Sequence, residues 1–142
     1  MIVLDTNVLS ELVKPSPDSN VIQWVSQRPV AALFTSTITQ AEILYGVSLL
    51  PDGDRKKQLQ KAVVRLFDEL FHERVLPFDG DAAMAYARIA VSRRQSGRPI
   101  SQFDAQIAAI ARSRESQLAT RNGMDFEGCG IVVINPWLEQ TG

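Results

Sequence analysis

Four carboxylates stand where an α/β chain presents side chains to a ligand: Asp5, Glu42, Asp104 and Asp125. They lie far apart in the chain, yet each can reach the carboxyl edge of one sheet. Three or four carboxylates within a few ångströms cannot all stay ionised without a cation, because like charges raise one another's pKa. All-oxygen ligands suit Mg²⁺ or Mn²⁺. His72 is the only histidine and Cys129 the only cysteine, so there is no ligand set for zinc. A site of this kind supports hydrolysis by activating a water and stabilising charge on a phosphate oxygen.

Each acid also has a purely structural account. Asp5 can cap the helix that starts at about Asn7. Thr39–Glu42 and Ser101–Asp104 both have capping-box spacing, and an acid in a first helical turn gains roughly 0.3–1 kcal/mol from the helix dipole. Asp125 can belong to a turn. Periodicity alone does not show that the four converge.

The elements that must position them can be read from the apolar pattern. Met1-Ile2-Val3-Leu4 is an unbroken apolar run, as in a strand buried on both faces of a parallel sheet, and Asp5 follows it directly. In open α/β sheets the carboxyl ends of the strands face the ligand crevice. A short helix over 7–13 stops at Lys14-Pro15. The next, capped by Ser16 or Asp18, carries Val21, Ile22, Trp24 and Val25. Residues 31–36 predict a second strand, and the helix capped at Thr39 continues through Ile43, Leu44, Val47 and Leu50. Leu59, Val63, Leu66, Phe67, Leu70 and Phe71 form one stripe of a longer helix. Residues 75–79 predict a short third strand, placed at an edge by Pro77. A helix over 81–95 follows, with Met84, Ala87 and Ile89 towards the core and Gly97 as its stop. Ser101 opens a further helix whose alanines allow close packing on the sheet. Residues 117–120 and 131–134 predict the fourth and fifth strands, with a loop over 121–126 between them. Strands alternating with helices indicate one α/β domain with a largely parallel five-stranded sheet flanked by helices.

The composition is that of an ordinary globular protein, 45% apolar and 22% charged over 142 residues, enough for one domain with a core. No apolar run is long enough to span a membrane, and the N-terminus lacks the plan of a signal peptide. One unpaired cysteine excludes an internal disulfide framework and fits a reducing cytoplasm. The net charge of −1 gives no help to nucleic-acid binding by electrostatics alone. It does not exclude a nucleic-acid enzyme whose acids offset its basic residues. Those are bunched at Arg55, Lys56, Lys57 and Lys61, and at Arg93, Arg94 and Arg98. Either bunch also suits a solvated helix face.

The chain resembles the PIN-domain ribonucleases, and within them the VapC-type toxins of toxin–antitoxin pairs, in particular the FitB-like branch. The resemblance spans nearly all of the chain. It rests on residues 2–11 (IVLDTNVLSE), 36–46 (STITQAEILYG), 103–109 (FDAQIAA) and 118–122 (LATRN), with Asn135-Pro136-Trp137 near the end. The order and spacing of these blocks carry the specificity. The resemblance implies a single PIN domain over 1–142. It also implies cleavage of RNA by a Mg²⁺- or Mn²⁺-dependent endoribonuclease at an acidic pocket. Asp5, Glu42 and Asp104 become the metal-binding acids, with Thr6, Asn7 and Thr120 orienting carboxylates or water. Asp125 takes the fourth position as a metal-binding or water-orienting acid. Some relatives carry Asp where this chain has Asn122, which supplies no charge. The same resemblance implies a homodimer and a VapB/FitA-like antitoxin that blocks the pocket and carries the assembly to operator DNA. Arg93, Arg94 and Arg98 are expected to contact the RNA backbone.

Two other readings compete. A haloacid-dehalogenase-like phosphoryl-transfer enzyme also ends its first strand in Asp, but it needs a second Asp two residues on, where this chain has Asn7. A catalytically inactive PIN-like binding module would lack a metal acid, and only the fourth position here is open to that charge.

Overall fold

The computed structural model describes residues 1–138. Five strands form one parallel sheet: β1 (Ile2–Leu4), β2 (Leu33–Ser36), β3 (Val75–Leu76), β4 (Gln117–Ala119) and β5 (Val133–Ile134). Their order is β3-β2-β1-β4-β5. Six α-helices lie between them: α1 (Thr6–Leu12), α2 (Ser19–Ser26), α3 (Thr37–Ser48), α4 (Asp54–Arg65), α5 (Gly80–Gln95) and α6 (Gln102–Ser113). β3 is an edge strand, as Pro77 predicts, and Gly97 leaves α5 at a φ of +74° that favours glycine.

The strands alternate between two cores, as a pleated sheet covered on both faces requires. Val3, Leu76 and Leu118 join α5 and α6 on one face. Leu4, Leu33 and Ala119 join Val8, Trp24, Ile43, Val63 and Phe71 from α1 to α4 and the segment beyond on the other. α6 is buried over most of its circumference through Ala105, Ala108, Ala109 and Ala111, whose small side chains let it lie close to the sheet. Thr35 Oγ1 donates to the Leu4 carbonyl at 2.9 Å inside this core, tying β2 to the end of β1.

Several predicted boundaries move. The second strand starts only at Leu33, after a 3₁₀ turn over Val30–Ala32, and the fifth only at Val133. The stripe ending at Phe71 is not one regular helix. α4 passes into a π-helical turn at Leu66–Leu70, which keeps Val63, Phe67 and Phe71 on the buried side. The core face of α5 is Ala82, Ala85, Ile89 and Arg93, so Met84 and Ala87 lie on the exposed side instead. Leu44 also faces solvent, whereas Val47 is buried. Among the described residues, no helix is long and apolar enough to cross a membrane.

Candidate active site

β1 is central in the sheet, and the chain leaves it at Asp5, whose N–H still donates to the Ala119 carbonyl of β4 at 2.9 Å. The Asp5 carboxylate then does two jobs. Oδ1 accepts from Thr6 N at 2.8 Å and so caps α1, as the sequence allows. Oδ2 accepts from Thr120 Oγ1 at 2.7 Å and more weakly from Asn7 Nδ2 at 3.5 Å. Thr120 Oγ1 also receives Asn7 Nδ2 at 3.1 Å and Asn122 N at 3.2 Å. Asn7 Oδ1 accepts from Arg121 N at 3.2 Å. The ends of β1 and β4 are thus joined by side chains that all converge on Asp5.

Glu42 arrives by a different route from the one its spacing suggests. α3 is capped by Ser36, whose Oγ accepts from Thr39 N at 3.1 Å, and it starts at Thr37. Thr39 is therefore inside the helix, and Glu42 lies in the second turn rather than at the N3 position of a capping box. Its Oε1 accepts from Thr6 Oγ1 at 3.0 Å, and Thr6 Oγ1 also meets Thr39 Oγ1 at 3.0 Å. Asp104 does occupy the expected place: Ser101 caps α6 by accepting from Asp104 N at 3.2 Å.

Asp5, Glu42 and Asp104 line one open cavity of about 410 Å³, together with Asn7, Asn122, Glu11 and Lys14. All three acids hold their protons more tightly than usual. Burial pushes Asp5 up to about 6, with the charges of Asp104 and Glu42 adding to it and the Thr120 and Thr6 hydrogen bonds opposing it. Burial, then Asp104, raises Glu42 against its bond from Thr6. Burial and Asp125 raise Asp104, while its bond with Ser101 and the charge of Arg93 oppose the rise. These are carboxylates short of positive charge.

Asp125 is placed differently. It sits on a 3₁₀ turn, Gly123–Phe126, on the exposed side and outside the cavity walls, near enough for Asp104 to feel its charge. Asn122 is the residue of that segment that lines the cavity. Arg93 departs from the expectation of a surface contact: it is only 7% exposed and donates to backbone carbonyls. It continues the buried stripe of α5, so the phosphate-contact assignment does not hold for it.

Sequence reasoning also passed over Glu11 and Lys14. They follow Asn7 at intervals of four and three residues, the spacing of one helix face, which was the available signal. Lys14 Nζ donates to Glu11 Oε1 at 3.0 Å and Asp18 N to Glu11 Oε2 at 3.1 Å. The Lys14 bond, outweighing burial, lowers the Glu11 pKa. A second cavity of about 480 Å³ adjoins the first, sharing Thr6, Ser10, Lys14 and Glu42 and otherwise walled largely by apolar residues of α3 and α4.

The donor set suits a hard divalent cation: its acids offer only oxygen, and all three have raised pKa values. Among the described residues no three acidic, histidine or cysteine side chains form a ready-made ligand cluster.

The sequence and the fold match known proteins closely. The family model described as the PIN domain matches residues 2–127, and the chain belongs to the PIN-domain family, with the VapC and FitB toxins. It is 40% identical over 137 residues to VapC ribonuclease Y4jK of Sinorhizobium fredii, covering 96% of this chain and 98% of that one. It is 37% identical over 137 residues to Toxin FitB of Neisseria gonorrhoeae, covering 96% and 99%. The solved structure of FitAB bound to an IR36 DNA fragment superposes with a TM-score of 0.92 at 36% identity, covering 99% of each chain.

Proposed function

We propose that this protein is a Mg²⁺- or Mn²⁺-dependent endoribonuclease and the toxin of a type II toxin–antitoxin pair. The observation that carries the reading is the meeting of Asp5, Glu42 and Asp104, from three distant segments, on one cavity where burial and neighbouring acids raise the pKa of each carboxylate. The relatives named VapC ribonuclease and Toxin FitB support the activity and the toxin role. The likeness to FitAB bound to an IR36 DNA fragment supports a toxin–antitoxin assembly that engages DNA, and binding of operator DNA through the antitoxin belongs to the proposal. A homodimer and a cytoplasmic location belong to the same proposal.

Asp5 and Asp104 would hold the cation, directly or through water, with Asp125 helping from outside the cavity. When bound, the ion would supply charge stabilisation at the phosphate and acidify a water. Glu42 completes this shell or accepts a proton from the attacking water. Its bond from Thr6 fixes one carboxylate oxygen and leaves the other free for that task. Thr120 and Asn7 hold Asp5 in place. Arg94 and Arg98 remain the candidates for contacts to the RNA backbone, without Arg93.

The test is incubation of the purified, partner-free protein with mixed cellular RNA, in Mn²⁺ or Mg²⁺ and in chelator, alongside Asp5→Asn and Asp104→Asn. Discrete cleavage that needs the metal and is lost in both variants is the expected result. Cleavage that survives both substitutions points to contamination. Folded protein that neither cleaves nor binds Mn²⁺ in a calorimeter would overturn the reading in favour of an inactive binding module.

A further inference from the structure

The metal-dependent reading leaves one buried charge unused. Arg93 extends the core stripe of α5 into the base of two loops and forms no ion pair among the described residues. Its guanidinium instead addresses the backbone of both loops. Nε donates to the Arg98 carbonyl at 2.7 Å. Nη1 donates to the carbonyls of Asp125 at 2.8 Å and Glu127 at 2.9 Å, and lies 3.6 Å from Cys129 Sγ. A cation this far from solvent is costly unless its donors are well satisfied.

The two loops matter because of what they carry. Arg98 lies three residues before Ser101, the cap that fixes Asp104. Asp125 is held at both ends of its own backbone: its N–H donates to the Asn122 carbonyl at 3.0 Å, and its carbonyl receives Arg93. The segment closes around the arginine. Phe126 anchors it in the core at 2% exposure. Gly128, at a φ of +76°, passes so near that an added Cβ would lie 3.8 Å from Arg93 Cδ. Arg98 Nη2 adds an outer latch to Glu127 Oε2 at 2.7 Å.

We propose that Arg93 is a positioning residue that ties the Asp104-bearing and Asp125-bearing segments together, setting where Asp125 stands relative to the acidic cavity. The planar fork explains the choice of arginine. It serves carbonyls on separate segments from fixed directions, which a flexible lysine ammonium does not reproduce. The inference rests on the metal-dependent reading for the role of Asp125, but the clamp itself rests on these backbone contacts.

A double-mutant cycle on the full chain tests it. Mn²⁺ affinity is measured by calorimetry for wild type, Arg93→Lys, Asp125→Asn and the double variant, with amide hydrogen exchange of residues 122–129 followed without metal. Arg93→Lys is expected to speed exchange across 122–129 and to weaken Mn²⁺ binding about tenfold. In the Asp125→Asn background the same change is expected to have no further effect on affinity, since Arg93 acts through Asp125. Additive losses, or wild-type affinity in Arg93→Lys despite faster exchange, would reduce Arg93 to a structural residue and overturn the proposal. Unchanged exchange would overturn the clamp outright. If wild type binds no Mn²⁺, the metal-dependent reading fails, and with it the role given to Asp125; the clamp is then decided by exchange alone. Should Arg93→Lys fold poorly, Gly128→Ala strains the same loop without touching any acid. It should weaken Mn²⁺ binding only while Asp125 is present.

Discussion

Asp5 and Glu11 sit less than two helical turns apart and have similarly little contact with solvent, 5% and 6%. Their chemistry is opposite. Glu11 has the Lys14 ammonium and the Asp18 N–H on its two oxygens, and its pKa falls. Burial pushes Asp5 up to about 6: the Thr6 N–H, the Thr120 hydroxyl and the Asn7 amide bring it no charge, and the two acids it faces add to the rise. Low exposure is common to both, so it cannot mark the functional acid. Burial that no positive partner offsets does, since Glu11 has Lys14 against it and Asp5 has no such partner.

The largest effect should fall on turnover. Asp5→Asn or Asp104→Asn is expected to reduce RNA cleavage by about 100-fold or more, the several kcal/mol that charge stabilisation by a bound ion is worth. Glu11→Gln, on the same cavity wall, should leave the rate within a few-fold. Equal losses from Asp5→Asn and Glu11→Gln in a quantitative cleavage assay would erase the contrast.

Thr120→Val comes next. It removes a hydrogen bond to the charged form of Asp5, so the Asp5 pKa should climb further above about 6 and cleavage should drop about 10- to 100-fold. Titration of the Asp5 carboxyl by NMR checks the first part, and initial rates the second.

Stability without metal sharpens the comparison through opposite signs. Asp5 binds its proton more tightly in the folded than in the unfolded chain. Its contribution is therefore fully present below about pH 4 and is lost as pH rises through about 6. The loss amounts to about 3 kcal/mol at neutral pH, from a shift of roughly two pKa units. Asp5→Asn should therefore raise the Tm at pH 7 in chelator, with the gain shrinking towards pH 4. Glu11 has a lowered folded pKa. Its contribution is present above the ordinary glutamate range and is lost as pH falls through that lowered value. Glu11→Gln should lower the Tm at pH 7. Thermal melts of both variants from pH 4 to 8 give the answer, and two changes of the same sign would defeat the argument.

The smallest effect separates a cap from a site acid on α3. Ser36→Ala should cost about 1 kcal/mol through the lost cap. Glu42→Gln should change stability by less than about 0.5 kcal/mol, because Glu42 is not a capping residue. Denaturant melts resolve the two.

The strands were legible because a parallel sheet writes itself as short apolar runs, and residues 2–4, 33–36 and 117–119 all lie within the predicted ones. Asp5 was legible for the same reason, as the first polar residue beyond the central strand. Asp104 was legible through Ser101. Glu42 lines the cavity, but not in the local setting its spacing suggests, since Ser36 outcompetes Thr39 as the cap by being the last residue of β2. Arg93 misled because charge is ordinarily read as surface. Its spacing of four from Ile89 puts it on the buried stripe, and only carbonyls of the loop that follows α5 and of a second loop far along the chain make that position tolerable. No local pattern announces such partners. The exposed setting of Asp125 was invisible for a similar reason, because it depends on how a 3₁₀ turn is tethered from another helix.

The place of β1 between β2 and β4 has a consequence for biosynthesis. Ile2, Val3 and Leu4 emerge from the ribosome early, yet they pair with residues 117–119, and Asp5 takes its backbone acceptor from Ala119 and its side-chain donor from Thr120. Contacts this distant in sequence form late, after the loop-closure entropy between them has been overcome. A nascent chain that has not yet made β4 therefore carries Asp5, Glu42 and Asp104 without their shared cavity, and the order of translation itself delays the assembly of the site.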